Sequence, residues 1–359
     1  MTVSALDHPY LKDLLGHDEV ATFFSVEEDI TAMIAFERAL AKVEAEEGVI
    51  STDARDAIFQ ALDNYSLDIT GLRVATARDG VVVPELLRQV KEKLALKFHS
   101  ALHFGATSQD IIDTSLSLRL CRASKVIETD LTGLIEDLEQ LSRKFGDHQI
   151  IGRTRMQRAL PIPLKHRLDS WSNPLKELLS QFTMVHKKVS VLQFAGAVGT
   201  LENLGESAEQ VRAKLATELN LLDSKGSWHT NRRGLVSFAN WLSELSGSIG
   251  KLGQDVIQMS INEVHEVYLN GGGGSSAMPH KQNPVRGEVL VSLARFNAMN
   301  VSGMHQALVH ENERSGSSWT LEWMILPQMV VAGAASVRRA RELLSQIEDI
   351  PDMTEIVSE

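Results

Sequence analysis

The sequence has few of the features that mark secreted, membrane or nucleic-acid-binding proteins. Its 359 residues contain one cysteine, Cys121, which excludes an internal disulfide. No stretch approaches the roughly 18 uninterrupted apolar residues of a membrane span, and the N-terminus lacks the basic and then apolar pattern of a secretory signal. The net charge of −11 argues against nucleic acid or an anionic membrane as the main partner. We therefore expect a cytoplasmic protein, whose site must supply its own cations if the substrate is an anion.

The sequence also lacks any long stretch of period-two alternation, so we expect almost no sheet. Apolar residues recur instead at alternating spacings of three and four over residues 127–145, 164–192 and 235–259. Such a period, kept through about four heptads, predicts helices of roughly 40 Å that pack along one another. Because these apolar faces exceed what one small bundle can bury, we expect an oligomer built from bundles.

Capping and proline signals predict two further long helices in the C-terminal half of the chain. A fourth long helix is expected over residues 284–307, where Asn283 suits the N-cap and proline the first turn. A fifth is expected over residues 319–344, with an irregularity at Pro327, since an interior proline ends or kinks a helix.

The domain organisation follows from the same signals. Ser25 with Glu28 forms a capping box that opens a first helix, and shorter helical pieces follow it. We predict a small N-terminal helical domain over residues 1–110, a central long-helix bundle over residues 111–350, and a frayed tail over residues 351–359.

The stretch GGGGSSAMPHKQNP, residues 271–284, separates two of the helical patterns. Four consecutive glycines cost entropy to order, which indicates a need for mobility or for close backbone approach. A phosphate-binding loop is excluded because no Gly-Lys-Ser/Thr follows at the right spacing. A flexible linker would explain the glycines but not the serines and the lysine. On residue types alone, a catalytic closing loop and a plain connection stay equally open.

Two more stretches interrupt the helical patterns. In HFGATSQDIIDT, residues 103–114, Thr107 precedes Asp110 by three residues, which caps a helix start whose free N–H groups attract anions. A purely structural capping box is the alternative. GRTRMQRALPIP, residues 152–163, has three arginines within six residues, which suggests carboxylate binding in an acidic protein, although most surface arginines have no special role. These arginines are Arg153, Arg155 and Arg158.

In this order, the three stretches resemble the signature regions of the fumarase/aspartase superfamily. The opening FSVEEDITAMIAFERALAKVEAEEGVI and the run HENERSGSSWTLEWMILPQM are most similar to the superfamily's cycloisomerase branch, which lactonises 3-carboxymuconate. The resemblance implies an all-α long-helix bundle, here without the usual C-terminal third domain. It also implies a homotetramer whose sites are each shared by three subunits, a small tricarboxylate substrate, and no metal or organic cofactor.

The resemblance implies roles for residues at matching positions. Ser275, six residues before Lys281, would be the acid or base at carbon, with Ser276 as a stand-in. Lys281 would also stabilise the carbanion. Histidines and arginines with weaker claims are His103, His280, His310 and Arg78, and Glu311 and Arg314 could line the site. The residues that would bind substrate carboxylates are Lys281, Asn283, Thr107, Ser108, Thr154 and Gln157.

One departure from the superfamily pattern selects a reaction. Most members have histidine after the threonine of the second region, whereas this chain has Arg155. Arginine cannot usefully release a proton near neutral pH. In cycloisomerisation the group that adds is a carboxylate of the substrate. In the reverse reaction this carboxylate can leave as an anion without being protonated, so a fixed cation is more useful at this position than a proton donor. We interpret Arg155 as orienting that carboxylate while Ser275 protonates carbon.

Two other functions stay open at this point. A C–O or C–N lyase that releases fumarate from a succinyl adduct would predict histidine at the position of Arg155. A catalytically silent structural protein on the same scaffold would predict damaged signature regions, whereas SSAMPHKQNP is intact.

Overall fold

The computed structural model describes residues 3–274, 277–278 and 281–354. Within these ranges the chain forms twelve α-helices, and its strands form two short two-stranded sheets. The prediction of an all-α fold with almost no sheet is confirmed. Three candidates from the sequence, Ser275, Ser276 and His280, lie outside the described residues.

The helices range in length from 4 to 38 residues, and short strands separate some of them. Two 3-10 turns, Leu96–Phe98 and Glu202–Ser207, complete the regular structure of the described part. The elements are α1 Lys12–Leu15, α2 Asp18–Thr22, α3 Val26–Glu46, α4 Thr52–Asp63, α5 Ile69–Asp79, α6 Val83–Lys91, α7 Ser108–Phe145, β1 Gln149–Thr154, β2 Gln157–Pro163, α8 Leu164–Val189, α9 Ala208–Glu218, α10 Arg233–Met259, β3 Tyr268–Leu269, α11 Val285–Gln306, α12 Ser317–Ser345 and β4 Ile347–Asp349.

Five long helices, α7, α8, α10, α11 and α12, pack along one another as the centre of the fold. Their heptad positions form one continuous hydrophobic core, in which Leu131, Leu175 and Leu245 are fully buried. Helix α7 has 38 residues, which at about 1.5 Å per residue gives about 57 Å, and α10 has 27 residues, or about 40 Å. The three periodic segments of the sequence are therefore confirmed as long packed helices.

The ends of the last two long helices differ in detail from prediction. Helix α11 begins at Val285 with Pro284 in the N-cap position, because the backbone of Asn283 is paired with Gly273 instead. Helix α12 continues through Pro327, so this proline does not end the helix. Burial of its apolar face against the bundle outweighs the one backbone hydrogen bond that a proline removes.

The second signature stretch forms a β-hairpin, which the sequence did not predict. Strands β1 and β2 pair antiparallel, with Thr154 opposite Gln157 across a two-residue turn. Both turn residues, Arg155 and Met156, have positive φ angles of 51° and 67°. This is the backbone of a type I′ hairpin turn, where glycine or asparagine is usual. The hairpin escaped prediction because most of its side chains are exposed, which leaves no apolar alternation.

The N-terminal helices share their core with a later part of the chain. Helices α3 and α6 pack against Leu192, Phe194 and residues of α9 in a second hydrophobic cluster. In the described part of the tail, the backbone N–H of Met353 donates to Gln149 O at 2.9 Å. The division at residue 110 and the fraying of the tail remain predictions.

One helix in the described residues, α12, is long and apolar enough to cross a membrane by composition alone. However, 61% of its most apolar window is buried inside the protein, which is typical of a core helix.

Glu44 on α3 is an isolated buried carboxyl group. It is fully buried, and neither oxygen has a hydrogen-bond partner among the described residues. Burial and then the nearby Glu37 raise the pKa of Glu44 to about 9. The unfolded chain would release this proton near pH ~4.3. Stability is therefore lost progressively as pH rises from about 4 to about 9, because only the folded state retains the proton.

We expect Glu44→Gln to stabilise the protein at high pH. The neutral amide avoids the proton uptake that folding requires, so the gain should be on the order of 2–4 kcal/mol near pH ~8 and should vanish near pH ~4. Urea unfolding across this pH range measures it. The control is Glu46→Gln, which changes an exposed glutamate two residues away and should leave the pH profile unaltered. An equal gain at all pH values would contradict the assignment.

Candidate active site

The start of α7 is fixed by a buried carboxylate. Thr107 is the N-cap residue, as predicted, and its backbone N–H donates to Asp110 Oδ2 at 3.0 Å. Asp110 is fully buried and also accepts from the backbone N–H groups of Ala195 and Gly196 at 3.1 and 2.9 Å. His229 Nε2 lies 2.8 Å from its other oxygen. The capping box therefore also joins two distant loops to this helix end.

An arginine from the connection between α11 and α12 reaches the same helix end. Arg314 Nη1 donates to Thr107 Oγ1 at 2.7 Å, and its Nε lies 3.4 Å from Gln109 Oε1. A fixed cation beside the N-terminus of a 38-residue helix favours anion binding, because the helix dipole and the free N–H groups add to the charge. We call Thr107, Ser108, Gln109 and Arg314 the α7 cluster.

Behind the α7 cluster lies a fully buried ion-pair network, the buried triad, which consists of Asp113, Arg232 and Glu322. Arg232 donates to both oxygens of Asp113 at 2.6 and 3.0 Å, and to Glu322 at 2.6 Å. All three side chains are at most 1% exposed. Trp319 Nε1 also donates to Asp113 at 3.0 Å, consistent with a packing role for that residue.

The triad residues are charged in the folded protein. Burial alone would lower the pKa of Arg232, but the two carboxylates beside it raise that pKa above its ordinary value. Burial would raise the pKa of Glu322, but His310 and Arg232 lower it below the usual range. With Asp113 also accepting two hydrogen bonds from the guanidinium, the three side chains carry a net charge of −1.

The hairpin displays the second set of predicted residues at the protein surface. Thr154, Arg155 and Gln157 are all exposed at its tip. The positive φ angle of Arg155 costs energy for a residue with a Cβ atom, and such conformations cluster at functional sites. A surface cavity of ≈ 660 Å³ lies between the hairpin, α8 and α10. Arg155 can therefore reach a ligand or a second molecule without rearrangement.

Arg153, the first arginine of the hairpin, has a structural partner. Its Nη1 donates to Glu266 Oε1 at 2.6 Å, and Arg167 donates to the other oxygen at 3.1 Å. Glu266 is fully buried and needs both cations. Arg153 therefore has a structural ion pair, and the expectation that it binds a substrate carboxylate stays a prediction.

The glycine-rich stretch begins and ends at a backbone pair, Gly273 and Asn283, which we call the neck. Gly273 and Asn283 exchange two backbone hydrogen bonds of 2.9 Å, and the side chain of Gln346 donates to Gly271 O at 2.9 Å. A Cβ on Gly273 would lie 2.4 Å from Val285 Cγ2, so this position needs glycine. Lys281 is exposed two residues before the end of the neck. The hydrogen bonds of the neck thus fix where Lys281 lies on the protein surface.

Two weaker candidates have partners within the chain. His103 Nδ1 lies 2.5 Å from Glu37 Oε1. Burial would lower the pKa of His103, but the Glu37 carboxylate raises it above the ordinary value. Arg78 is exposed at the end of α5 and pairs with Asp79 at 2.7 Å. Among the described residues, neither side chain has a hydrogen bond to the α7 cluster.

The described parts of the three signature regions lie on different elements of the fold. Among the contacts of the described residues, none joins the hairpin tip or the neck to the α7 cluster. Each region instead presents exposed or half-buried polar groups at a different place on the bundle.

Comparisons with known proteins identify the family. A profile described as Lyase matches residues 17–303. A Pseudomonas aeruginosa protein named 3-carboxy-cis,cis-muconate cycloisomerase is 38% identical over 331 residues, covering 90% of this chain and 72% of that protein. The chain belongs to this lyase family. The resemblance inferred from the three signature regions is confirmed.

Two further members of the lyase family are close in sequence or structure. A protein of Acinetobacter baylyi with the same name is 31% identical over 338 residues, which cover 92% of this chain and 75% of that protein. The crystal structure of 3-carboxy-cis,cis-muconate lactonizing enzyme from Pseudomonas putida superposes with a TM-score of 0.89. It is 32% identical and covers 96% of this chain and 78% of that chain.

Sequence reasoning missed the buried triad and His229. Asp113 and Glu322 were hidden inside helical patterns, where acidic residues usually face solvent, and Arg232 adjoins a second arginine that is exposed. A local signal existed, because Asp113 and Glu322 fall on the apolar faces of α7 and α12. Their pairing required the tertiary structure, since Arg232 is 119 residues from Asp113.

Proposed function

We propose that this lyase-family protein converts 3-carboxy-cis,cis-muconate to 4-carboxymuconolactone, as in the protocatechuate branch of the β-ketoadipate pathway. The observation that carries the proposal is Arg155, which stands where most of the superfamily has an acid–base histidine, at the exposed tip of a strained turn. The names of the P. aeruginosa and A. baylyi relatives support the same reaction class.

The proposed reaction is an intramolecular addition. One substrate carboxylate, oriented by Arg155, attacks the conjugated double bond and leaves negative charge on the adjacent carboxylated carbon. Lys281 and the N–H groups at the start of α7 stabilise that charge, and Ser275 delivers a proton to the carbon. Fixing both reacting groups in one molecule already supplies proximity, so the protein mainly needs to orient and neutralise carboxylates.

Substrate carboxylates would be shared among the three signature regions. In this proposal Thr107 and Ser108 bind one carboxylate at the α7 cluster, Thr154 and Gln157 bind another at the hairpin, and Asn283 acts beside Lys281. Arg314 joins them because it already donates to Thr107. His103, Arg78 and Ser276 have weaker support, since the first two have partners elsewhere. No metal or organic cofactor enters these steps.

We also propose a cytoplasmic homotetramer in which three subunits complete each site. Among the described residues, the hairpin tip and the neck make no hydrogen bond to the α7 cluster, which supports a shared site, and so does the hairpin surface. Met156 and Leu160 are 69% and 74% exposed there and give the hairpin an apolar surface that a second subunit would bury.

One assay tests the function. Purified protein should remove the ultraviolet absorbance of 3-carboxymuconate and form one lactone without fumarate. Loss of absorbance with fumarate release from a succinyl adduct would favour a C–O or C–N lyase. A folded tetramer without activity on any carboxylated muconate would favour a structural protein. Protein unfolded by heat is the control for spontaneous lactonisation.

A further inference from the structure

A cavity lies between the N-terminal helices and the long-helix bundle. Its volume is ≈ 460 Å³, and it is lined by residues of α3, α5, α7 and α12 and of the connections that precede α3 and α6. Volumes of this size are typical of small-molecule sites in proteins. None of the residues assigned to the proposed reaction is among those that line it. The cavity is therefore distinct from the proposed reaction site.

Most of the cavity wall is apolar. An indole, a phenyl ring and aliphatic side chains form it, and several of them are only half-buried although they lie between packed helices. Such a wall removes the apolar surface of a ligand from water and offers ring contacts at the indole. It therefore favours a compact aromatic or branched body. The apolar lining includes Phe24, Met33, Val81, Ile112, Trp323 and Leu326.

Arg119 on α7 is the one cation among the lining residues, and it is 8% exposed. Its Nε donates to Ser115 O at 3.3 Å, its Nη1 donates to Phe23 O at 3.4 Å, and its Nη2 lies 2.9 Å from Asp29 Oδ1. These contacts use three of the five N–H groups of a guanidinium. One N–H on each terminal nitrogen is thus left without an acceptor in the described part of the chain.

The charge of Arg119 is compensated less completely than that of Arg232. Two buried carboxylates raise the pKa of Arg232 despite its burial. Burial lowers the pKa of Arg119, and the charges of Asp29 and Glu28 oppose that shift only in part. The side chain of Asp29 is 34% exposed. Glu322 also lines the cavity, but both of its oxygens accept from Arg232. A buried cation with so little compensation favours a second anion.

We propose that this cavity binds a small amphipathic monocarboxylate, with the carboxylate on the Arg119 guanidinium and an aromatic or branched body against Trp323 and the aliphatic wall. The ligand would give Arg119 the second carboxylate that Arg232 already has within the chain. A tricarboxylate does not suit the cavity, because a single cation faces it. The inference goes beyond the proposed lactonisation and does not depend on it.

The test is a calorimetric titration of the full protein with 2-naphthoate at about pH 7.5, where the carboxylate is ionised. This probe has one carboxylate on a rigid bicyclic body, and 2-naphthol is an uncharged molecule of similar shape. A ligand of this size should bind with a Kd of about 1 mM or lower. 2-Naphthol should bind at least about tenfold more weakly, because a hydrogen bond between charged groups is stronger than one between neutral groups.

Two variants show whether the probe occupies the cavity. Arg119→Met should weaken 2-naphthoate binding at least about tenfold and leave 2-naphthol binding within about twofold, because only the acid uses the cation. Thr76→Trp should abolish binding of both probes, since an indole at this half-buried position of the wall fills the cavity. Arg122→Met is the matched control. Arg122 is exposed, pairs with Glu28 and does not line the cavity, so both probes should bind as in wild type.

Three outcomes would overturn the inference. The first is the absence of saturable 2-naphthoate binding. The second is an equal loss of affinity for both probes in Arg119→Met, which would mean that the arginine supports the wall and does not bind the carboxylate. The third is 2-naphthoate binding that survives both Arg119→Met and Thr76→Trp, which would place the acid elsewhere, for example at the α7 cluster.

If Arg119→Met does not fold, Arg119→Lys replaces it. Lysine keeps the charge but not the planar fork, so 2-naphthoate binding should still weaken while 2-naphthol binding is unchanged. These measurements require no lactonisation activity. Failure of the proposed function would therefore leave this inference standing, and failure of this inference would leave the proposed function standing.

Discussion

Replacing Ser275 by alanine is expected to lower kcat for lactonisation by about 10²- to 10⁴-fold, the usual contribution of a positioned proton donor. The variant can still orient the carboxylates through Arg155, Lys281 and the α7 cluster, so KM should change far less than kcat. Initial rates from the loss of muconate absorbance give both constants. Gel filtration and circular dichroism should show an unchanged assembly and helix content.

Ser276→Ala is the matched control for this prediction, because it removes the neighbouring hydroxyl from the same stretch. It should retain most of the activity. If Ser276→Ala loses activity and Ser275→Ala keeps it, the proton donor is Ser276. If both variants remain active, the proton comes from elsewhere and the assignment of the loop is wrong.

Replacing Arg232 by methionine is expected to destabilise the protein by about 3–5 kcal/mol, the typical loss when one partner of a buried ion pair is removed. Asp113 and Glu322 would remain fully buried without their shared cation. Such a loss is a large part of the ~5–15 kcal/mol that stabilises an ordinary domain. Urea unfolding, compared at one protein concentration, measures it.

The loss of stability in Arg232→Met should increase with pH. Without the guanidinium, the pKa of Glu322 should rise in the folded state, while its unfolded value stays near ~4. The folded variant then retains a proton that the unfolded chain releases. The deficit relative to wild type should therefore grow as pH rises and shrink as pH falls toward about 4.

Two further variants make the Arg232 prediction specific. Arg233→Met changes the adjacent exposed arginine and should alter stability by less than about 0.5 kcal/mol. Adding Glu322→Gln to Arg232→Met should recover part of the loss, because it removes one of the two stranded charges. A loss below about 1 kcal/mol for Arg232→Met would mean that the triad does not carry the charges assigned to it.

Much of the scaffold could be predicted because its signals are local. The long helices α7, α8 and α10 were visible as heptad patterns, since each apolar stripe repeats within a few residues of itself. The Thr107 cap was visible for the same reason, because the hydrogen bond to Asp110 spans three residues. The proline at position 327 does not end α12, because burial of the surrounding helix outweighs the local cost of proline.

Fewer features of the site than of the scaffold could be predicted, because the type of a residue does not reveal which other residue it contacts. Arg153 and Arg155 look alike in the sequence, yet one is paired with buried Glu266 and the other is exposed on a strained turn. His103 was a candidate ligand, but its ring is paired with Glu37, 66 residues away. Arg314 was named among residues that could line the site, and its direction became known only from its hydrogen bond to Thr107.

The sequence by itself determined the all-α class, the lyase family and the reaction that Arg155 favours, because these depend on periodicity and on the identity of residues within short stretches. Tertiary structure decided which charged residues are buried in pairs, where the hairpin presents Arg155, and that Arg119 and Glu322 line one cavity. Those features depend on contacts between residues such as Arg232 and Glu322, which are 90 positions apart. Contacts between residues so far apart in the sequence form only when the long helices pack, so no local sequence pattern predicts them.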